Sequence, residues 1–168
     1  EGLKQLESKN FQSSLGTWVK ALESDPLNPK LHLNLGISLY ALGEFEKAAK
    51  AFHGVRGLAK NNEELFVSLF DEAVALGQDK KVDEALKVYQ EALKITEKLI
   101  IKSINYQKIS DVPIGAFLSG GIDSTLITTL MRNNTSTKTK TFTIGYNEKL
   151  YDESIYAKKI ANHLGTIH

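Results

Sequence analysis

The sequence predicts an α + α/β chain: a solenoid of helical hairpins over residues 1–97, then a partial doubly wound parallel α/β unit over 98–168. Three observations predict it. Phe11, Ser14, Trp18 and Ala21 recur 34 residues later as Phe45, Ala48, Phe52 and Val55, and Leu35, Leu42 and Gly43 recur at the same interval as Leu69, Leu76 and Gly77. An apolar run through Val112, Ile114, Ala116, Phe117 and Leu118 stops at Ser119-Gly120-Gly121, where helical spacing takes over. A second strand-like segment, Thr141 to Tyr146, is likewise followed by a helical pattern.

Taken in order, the repeats place helices near 10–24, 30–42, 44–58, 62–76 and 81 to about 107. Asp25-Pro26 and Asn28-Pro29 end the first and admit the second, because proline fits a first turn but not a helix interior. A three-residue insertion near Gln78-Asp79-Lys80-Lys81 precedes another copy, carried by Val82, Ala85, Tyr89 and Ala92. Phe11, Trp18, Phe45, Phe52 and Tyr89 read as core, since aromatic residues at helical spacing fill interiors. Gly36, Gly43 and Gly77 read as turn and close-packing positions.

A 34-residue period of paired helices resembles the tetratricopeptide repeat. Leu33-Asn-Leu-Gly36, Gly43-Glu-Phe45, Ala48, Phe52 and the stretch from Ala21 to Pro26 carry that resemblance, while Lys60, Phe70 and His32 depart from the usual residues. The array amounts to two and a half repeats. One hairpin cannot bury its apolar face alone, so stacking supplies the core. The resemblance implies a peptide or protein partner, and no catalytic residue is expected before Leu99.

Ile95, Leu99, Ile100, Ile104 and Ile109 continue the helical pattern into the second part without proline or glycine. The run from Val112 to Leu118 suits a buried strand of a parallel sheet. Gly120 and Gly121 let the backbone turn sharply and approach a ligand. The helix begun by Ile122, Leu126, Ile127, Leu130 and Met131 aims free N–H groups back over that turn, which makes an anion site. Ser119, Ser124 and Thr125 add hydroxyls. Asp123 places a carboxylate where phosphate charge would sit, so it calls for Mg²⁺ or a basic group between them. No lysine follows in the P-loop position, so the loop is not built to transfer a γ-phosphate; it fits a pyrophosphate. Residues 132–138 are polar and loop-like. The second strand, Thr141 to Tyr146, is rich in β-branched and aromatic residues. The second helix, Ile155 to Leu164, is expected to be capped by Asp152 or Ser154 and ended by Gly165, completing a right-handed βαβα unit.

Ser119-Gly-Gly-Ile-Asp-Ser124 resembles the pyrophosphate loop (PP-loop) of ATP pyrophosphatases, which is Rossmann-like in fold. Alone it leaves tRNA-modifying, GMP-forming and NAD-forming relatives open. The longer string from Asp111 to Ser124, with Lys140 to Tyr146 and Tyr151 to His168, is similar to the synthetase domain of glutamine-dependent asparagine synthetase. That resemblance implies ATP-dependent adenylation of aspartate, then amidation by ammonia. It assigns Ser119, Gly120, Gly121, Asp123 and Ser124 to the pyrophosphate and its Mg²⁺, and Leu118 and Ile144 to the adenosine; no catalytic residue is assigned. A chain of this extent is expected to carry the ATP loop without the full chemistry. The competing expectation is a non-enzymatic tetratricopeptide interaction module.

Composition narrows the classes further. Formal net charge is +1; residues 1–98 hold 13 Lys+Arg against 15 Asp+Glu and residues 99–168 hold 8 against 5, so neither part presents a nucleic-acid or acidic-membrane surface. There is no cysteine, which excludes disulfides, thiolate metal sites and a glutaminase cysteine within these residues. No apolar run nears the roughly 20 residues that span a bilayer, and no signal-peptide pattern opens the chain, so a cytoplasmic location is expected. His32, His53, His163 and His168 are scattered, without metal-ligand spacing.

Overall fold

The first-part sequence folds into helices whose starts are written in asparagine. The computed structural model describes residues 1–148, 150 and 152–168; Lys149 and Tyr151, the latter opening the third stretch singled out above, lie outside them. Among the described residues the first unit holds α1 (Gly2–Glu7), α2 (Phe11–Ser24), α3 (Pro29–Ala41), α4 (Phe45–Val55), α5 (Asn62–Gln78) and the first part of α6 (Val82–Gln107), which runs on past the end of the unit. The side chains of Asn10, Asn28 and Asn61 accept from the N–H groups of Ser13, Lys30 and Glu64, so α2, α3 and α5 each begin on a satisfied donor. Pro29 stands at the first position of α3.

Backbone contacts divide the chain into Glu1–Glu97 and Lys98–His168. In the first unit, Lys9, Gly43 and Lys80 take left-handed backbone angles (φ 57, 79 and 63°) at equivalent points, each just past the first helix of a hairpin. The expectation of a turn at Gly77 is therefore corrected: the insertion lengthens α5 to Gln78, Gly77 is helical, and Lys80 carries the left-handed step. A short first helix before residue 10, not expected from the sequence, gives the first hairpin its α1.

The core of this unit is built on small residues, with Ala48, Ala73, Ala75, Ala85 and Ala92 packed among Leu39, Phe52, Leu69, Leu76 and Val88. A Cβ on Gly36 would overlap the Phe52 ring, and one on Gly2 would lie 2.5 Å from the Trp18 ring, so both glycines are contact surfaces for a buried aromatic. In the third hairpin Phe70 replaces that glycine. Its ring meets Tyr89 edge-on at 5.8 Å, and Tyr89, expected in the core, stands out at the surface because the slot is filled. Phe11 and Phe45 are half-buried, and only Trp18 and Phe52 of the expected aromatics are fully enclosed.

In the second unit, β1 (Gly115–Phe117) and β2 (Lys140–Phe142) pair in parallel, Gly115 opposite Lys140 and Phe117 opposite Phe142, with α7 (Ile122–Asn133) between them in sequence and α8 (Ser154–Leu164) after them. Ile167 bridges in parallel to Lys140 beyond α8. Both strands are shorter than expected, and the expectation of a strand buried on both faces does not hold. Alternation decides it: Ile114 and Ala116 pack with Ile104, Leu130 and Met131, whereas Phe117 points the other way and is 74 % exposed beside Phe142. Of the helical pattern Ile122, Leu126, Ile127, Leu130 and Met131, only Leu130 and Met131 are buried in α7; the other three are exposed. Leu118, at 1 % exposure, packs on Ala157 and Ala161 of α8.

Candidate nucleotide site

Strand β1 ends where its last backbone groups are already committed. The Leu118 N–H donates to the Phe142 carbonyl at 2.8 Å, and the Thr143 hydroxyl donates to the Leu118 carbonyl, which keeps one lone pair. The chain then turns through Ser119, Gly120 and Gly121 into α7. Gly120 takes φ 92°, a left-handed angle that any side chain would strain, and a Cβ there would lie 3.2 Å from Cβ of Tyr156 and 3.5 Å from the Ala157 nitrogen. Backbone angle and close approach to α8 both demand glycine.

The hydroxyls brace the turn. Ser124 Oγ lies 3.0 Å from Ser119 Oγ and accepts from the Ser119 N–H at 3.3 Å; the Gly121 N–H donates to Ser119 Oγ at 3.3 Å; Thr125 Oγ1 donates to the Gly121 carbonyl at 2.7 Å. Among the described residues, the N–H groups of Gly120, Ile122, Asp123 and Ser124 meet no backbone acceptor. Several unspent donors at a helix start are what an oxyanion needs, and the helix dipole adds to them. Asp123 sits in the first turn of α7, exposed, with no ion pair among the described residues.

Ile144 lies two residues past the end of β2. Its side chain is exposed, and its backbone groups make no hydrogen bond among the described residues. A cleft of about 240 Å³ opens between the two strand ends, lined by Phe117, Leu118, Ser119, Phe142, Thr143, Ile144, Tyr146 and Glu153. The structure thus brings Leu118, Ser119 and Ile144 to one cleft and gathers Gly120, Gly121, Asp123 and Ser124 in the adjoining turn.

Sequence reasoning did not single out Thr143, Tyr146 or Glu153 for the site. Asp152 explains how the far wall is held: its Oδ1 accepts from the N–H groups of Ser154 at 3.1 Å and Tyr146 at 3.5 Å, tying the segment after β2 to the start of α8. The hydroxyl and N–H of Ser154, with the Tyr146 N–H, keep the Asp152 carboxyl below the usual aspartate range. Neither residue expected to cap α8 stands at its N-cap: that position is Glu153, whose side chain makes no capping bond, while Asp152 just before it accepts from the Ser154 N–H; Gly165 ends the helix at φ 67° as expected. Among the described residues no group of three His, Asp or Glu side chains could hold a metal ion by itself.

The second acidic feature of the chain lies in the repeats. Glu72 is 5 % exposed and is met by His53 Nδ1 at 3.0 Å and Arg56 Nε at 2.8 Å, with Arg56 reaching Glu91 at 2.7 Å. A buried carboxylate paired this way holds α4 and α5 in register and needs no ligand.

The family described as asparagine synthase matches residues 96–168, and the tetratricopeptide repeat family matches residues 1–63. Residues of this chain are 42 % identical over 73 positions to a putative glutamine-hydrolyzing asparagine synthetase 2 of Methanocaldococcus jannaschii, covering 43 % of this chain and 14 % of that protein. Glutamine-hydrolyzing asparagine synthetase 1 of Bacillus subtilis is 41 % identical over 66 positions, covering 39 % and 10 %. The chain therefore spans about a seventh and a tenth of the curated relatives it matches, and the match lies in its C-terminal part. The solved structure of MamA from AMB-1 superposes with a TM-score of 0.53 at 26 % identity, covering 58 % of this chain and 56 % of that one. No described helix is long and apolar enough to cross a membrane.

Proposed function

We propose that residues 98–168 are the ATP-binding part of an asparagine synthetase-like amide ligase, a partial doubly wound α/β unit of the PP-loop kind, and that residues 1–97 are a repeat array that holds a protein partner. The observation that carries this reading is the glycine turn between β1 and α7, with unspent N–H groups at Gly120, Ile122, Asp123 and Ser124 beside the cleft at the strand ends. Nucleotides bind beyond the carboxyl ends of parallel strands, with phosphate on a helix start.

In this reading the pyrophosphate of ATP lies on Ser119, Gly120, Gly121 and Ser124. The free backbone groups of Ile144 and the remaining lone pair of the Leu118 carbonyl meet the adenine edge. Asp123 fits Mg²⁺ as a single carboxylate, since magnesium is commonly held by one or two carboxylates together with substrate phosphate oxygens. The ion would supply charge neutralisation between that carboxylate and the phosphates. In the complete ligase the side-chain carboxylate of aspartate displaces pyrophosphate from the α-phosphorus, and ammonia then displaces AMP to give asparagine. The cytoplasm, where ATP is abundant, is the compartment this reading requires. For the repeats, a small cleft lined by Ile37, Tyr40, Phe52, Asp71 and Val74 supports a peptide partner.

The test is an ¹⁵N-resolved titration of the chain with MgATP and MgGTP. Shift changes should concentrate at Leu118 to Thr125 and around Ile144 for MgATP, with GTP much weaker. Perturbations confined to the repeats, or none at millimolar MgATP, would sink the proposal.

A further inference from the structure

Glu153 is the single charged side chain among the residues lining the cleft at the strand ends. A carboxylate beside an anion-binding turn repels a phosphate and can only accept, so the ligand group it suits is one that brings donors. Three features hold the residue at that spot. Asp152, the residue before it, accepts from the N–H of Ser154, the residue after it, and from that of Tyr146 beyond β2. The Glu153 carbonyl takes the N–H groups of Tyr156 and Ala157 at 3.1 and 3.0 Å, which starts α8 at this point. A Cβ on Gly120 would lie 3.8 Å from that same carbonyl, so the first turn of α8 is packed against the glycine turn.

From this placement we infer that Glu153 is a specificity-determining residue that accepts hydrogen bonds from the vicinal hydroxyls of a ribose, so that the cleft selects ribonucleotides over deoxyribonucleotides. The inference rests on the ATP reading above. The order of groups along a nucleotide carries it. Phosphates on the turn at Ser119 to Ser124 and a base against Ile144 leave the sugar between them, and Glu153 is the one carboxylate-bearing residue among those lining the cleft, with its backbone next to Gly120. The lining side chains at the far wall, Phe142, Ile144 and Tyr146, suit a base instead. A carboxylate can take both hydroxyls of a cis diol on its two oxygens, and hydrogen bonds to a charged acceptor are the stronger kind.

The experiment uses the 168-residue chain and its Glu153→Ala and Glu153→Gln variants, titrated with MgATP, Mg-2′-deoxyATP and Mg-3′-deoxyATP while the amide shifts of Leu118 to Thr125 are followed. The unaltered chain should bind MgATP about tenfold more tightly than either deoxy form, the ratio expected for one charge-assisted hydrogen bond. Glu153→Ala should bring all three affinities together, and Glu153→Gln should retain a part of the discrimination. Glu153 is exposed, and dispersed amide spectra of both variants will report that the fold is kept. Equal affinities in the unaltered chain overturn the inference and leave the ATP reading standing. Binding of none of the three at the turn removes both. A loss on Glu153→Ala that appears with Mg²⁺ and vanishes with chelator would make the residue a partner of the cation and also overturn the inference.

Discussion

A single hydrogen in place of a methyl group decides how closely the two helices of a hairpin approach. Gly36 of α3 lies under the ring of Phe52, and Gly2 of α1 lies under Trp18 in the same relation one repeat earlier. Gly36→Ala pits two effects against each other. Alanine favours the helix by about 1 kcal/mol over glycine, whereas forcing a methyl against a fully packed ring costs about 1–3 kcal/mol. Phe52 is buried in the cluster of Leu39, Ala48, Leu69 and Ala73, and a methyl on Gly36 would overlap its ring and force it to shift within that cluster, so the clash wins and the net change should be a loss. Urea melts will measure it, and most of the loss should disappear in a Phe52→Leu background; an undiminished loss there would remove the ring from the explanation. Gly36 as a close-packing residue was legible from its place in the 34-residue period. Gly2 carried the same signal, since it aligns with Gly36 and Phe70, but six helical residues show no periodicity of their own and the first helix went unread. Phe70 was visible as a departure; that it would turn Tyr89 outward follows from the filled slot and not from any pattern along the chain.

At the scale of elements, the repeat is set as much by the turns as by the helices. The three left-handed residues Lys9, Gly43 and Lys80 close equivalent helices, yet only one is glycine. A side chain in this region costs roughly 1–2 kcal/mol, partly offset by the chain entropy that glycine loses. Lys80→Gly should therefore raise the unfolding free energy of the repeats by roughly 0.5–1 kcal/mol, and Gly43→Ala should lower it by a similar or larger amount. Thermal melts of both variants check the signs; if the two move the same way, backbone strain is not what distinguishes these turns. All five expected helices of the first part are present, with ends within three residues of those read from spacing. The strands were less legible. Val112 to Leu118 is apolar throughout, but pairing extends only over Gly115–Phe117, because its partner β2 is itself three residues long. An apolar run records what a segment tolerates and not how far its neighbour follows it. The glycine turn, by contrast, was legible almost residue by residue, since Gly-Gly after a strand and before a helix has few alternatives; Glu153 and Thr143 were not, because their nearness to the turn arises from packing of α8 and from the β1–β2 pairing.

For the molecule as a whole, the useful fact is that α6 serves two cores. Its early residues Ala85, Val88 and Ala92 belong to the repeat core, and Ile100, Ile101 and Ile104 belong to the core with Leu130 and Met131. Backbone contacts nonetheless divide between Glu97 and Lys98. Two cores of this size should unfold as two transitions, and the chain carries its own reporter for telling them apart: Trp18 is its single tryptophan and is buried in the first unit. A ligand that binds only the native second unit stabilises it by RT ln(1 + [L]/Kd), about 1.4 kcal/mol at ten times Kd. For a unit of 60–100 residues that corresponds to a rise of roughly 6–11 °C in the midpoint. MgATP should therefore move the transition followed by the amide signals of residues 98–168 and leave the Trp18 fluorescence transition where it was. If tryptophan fluorescence shifts by the same amount, the two units melt as one and the shared helix couples them. If neither transition moves at saturating MgATP, the glycine turn does not hold the nucleotide, whatever its free N–H groups suggest.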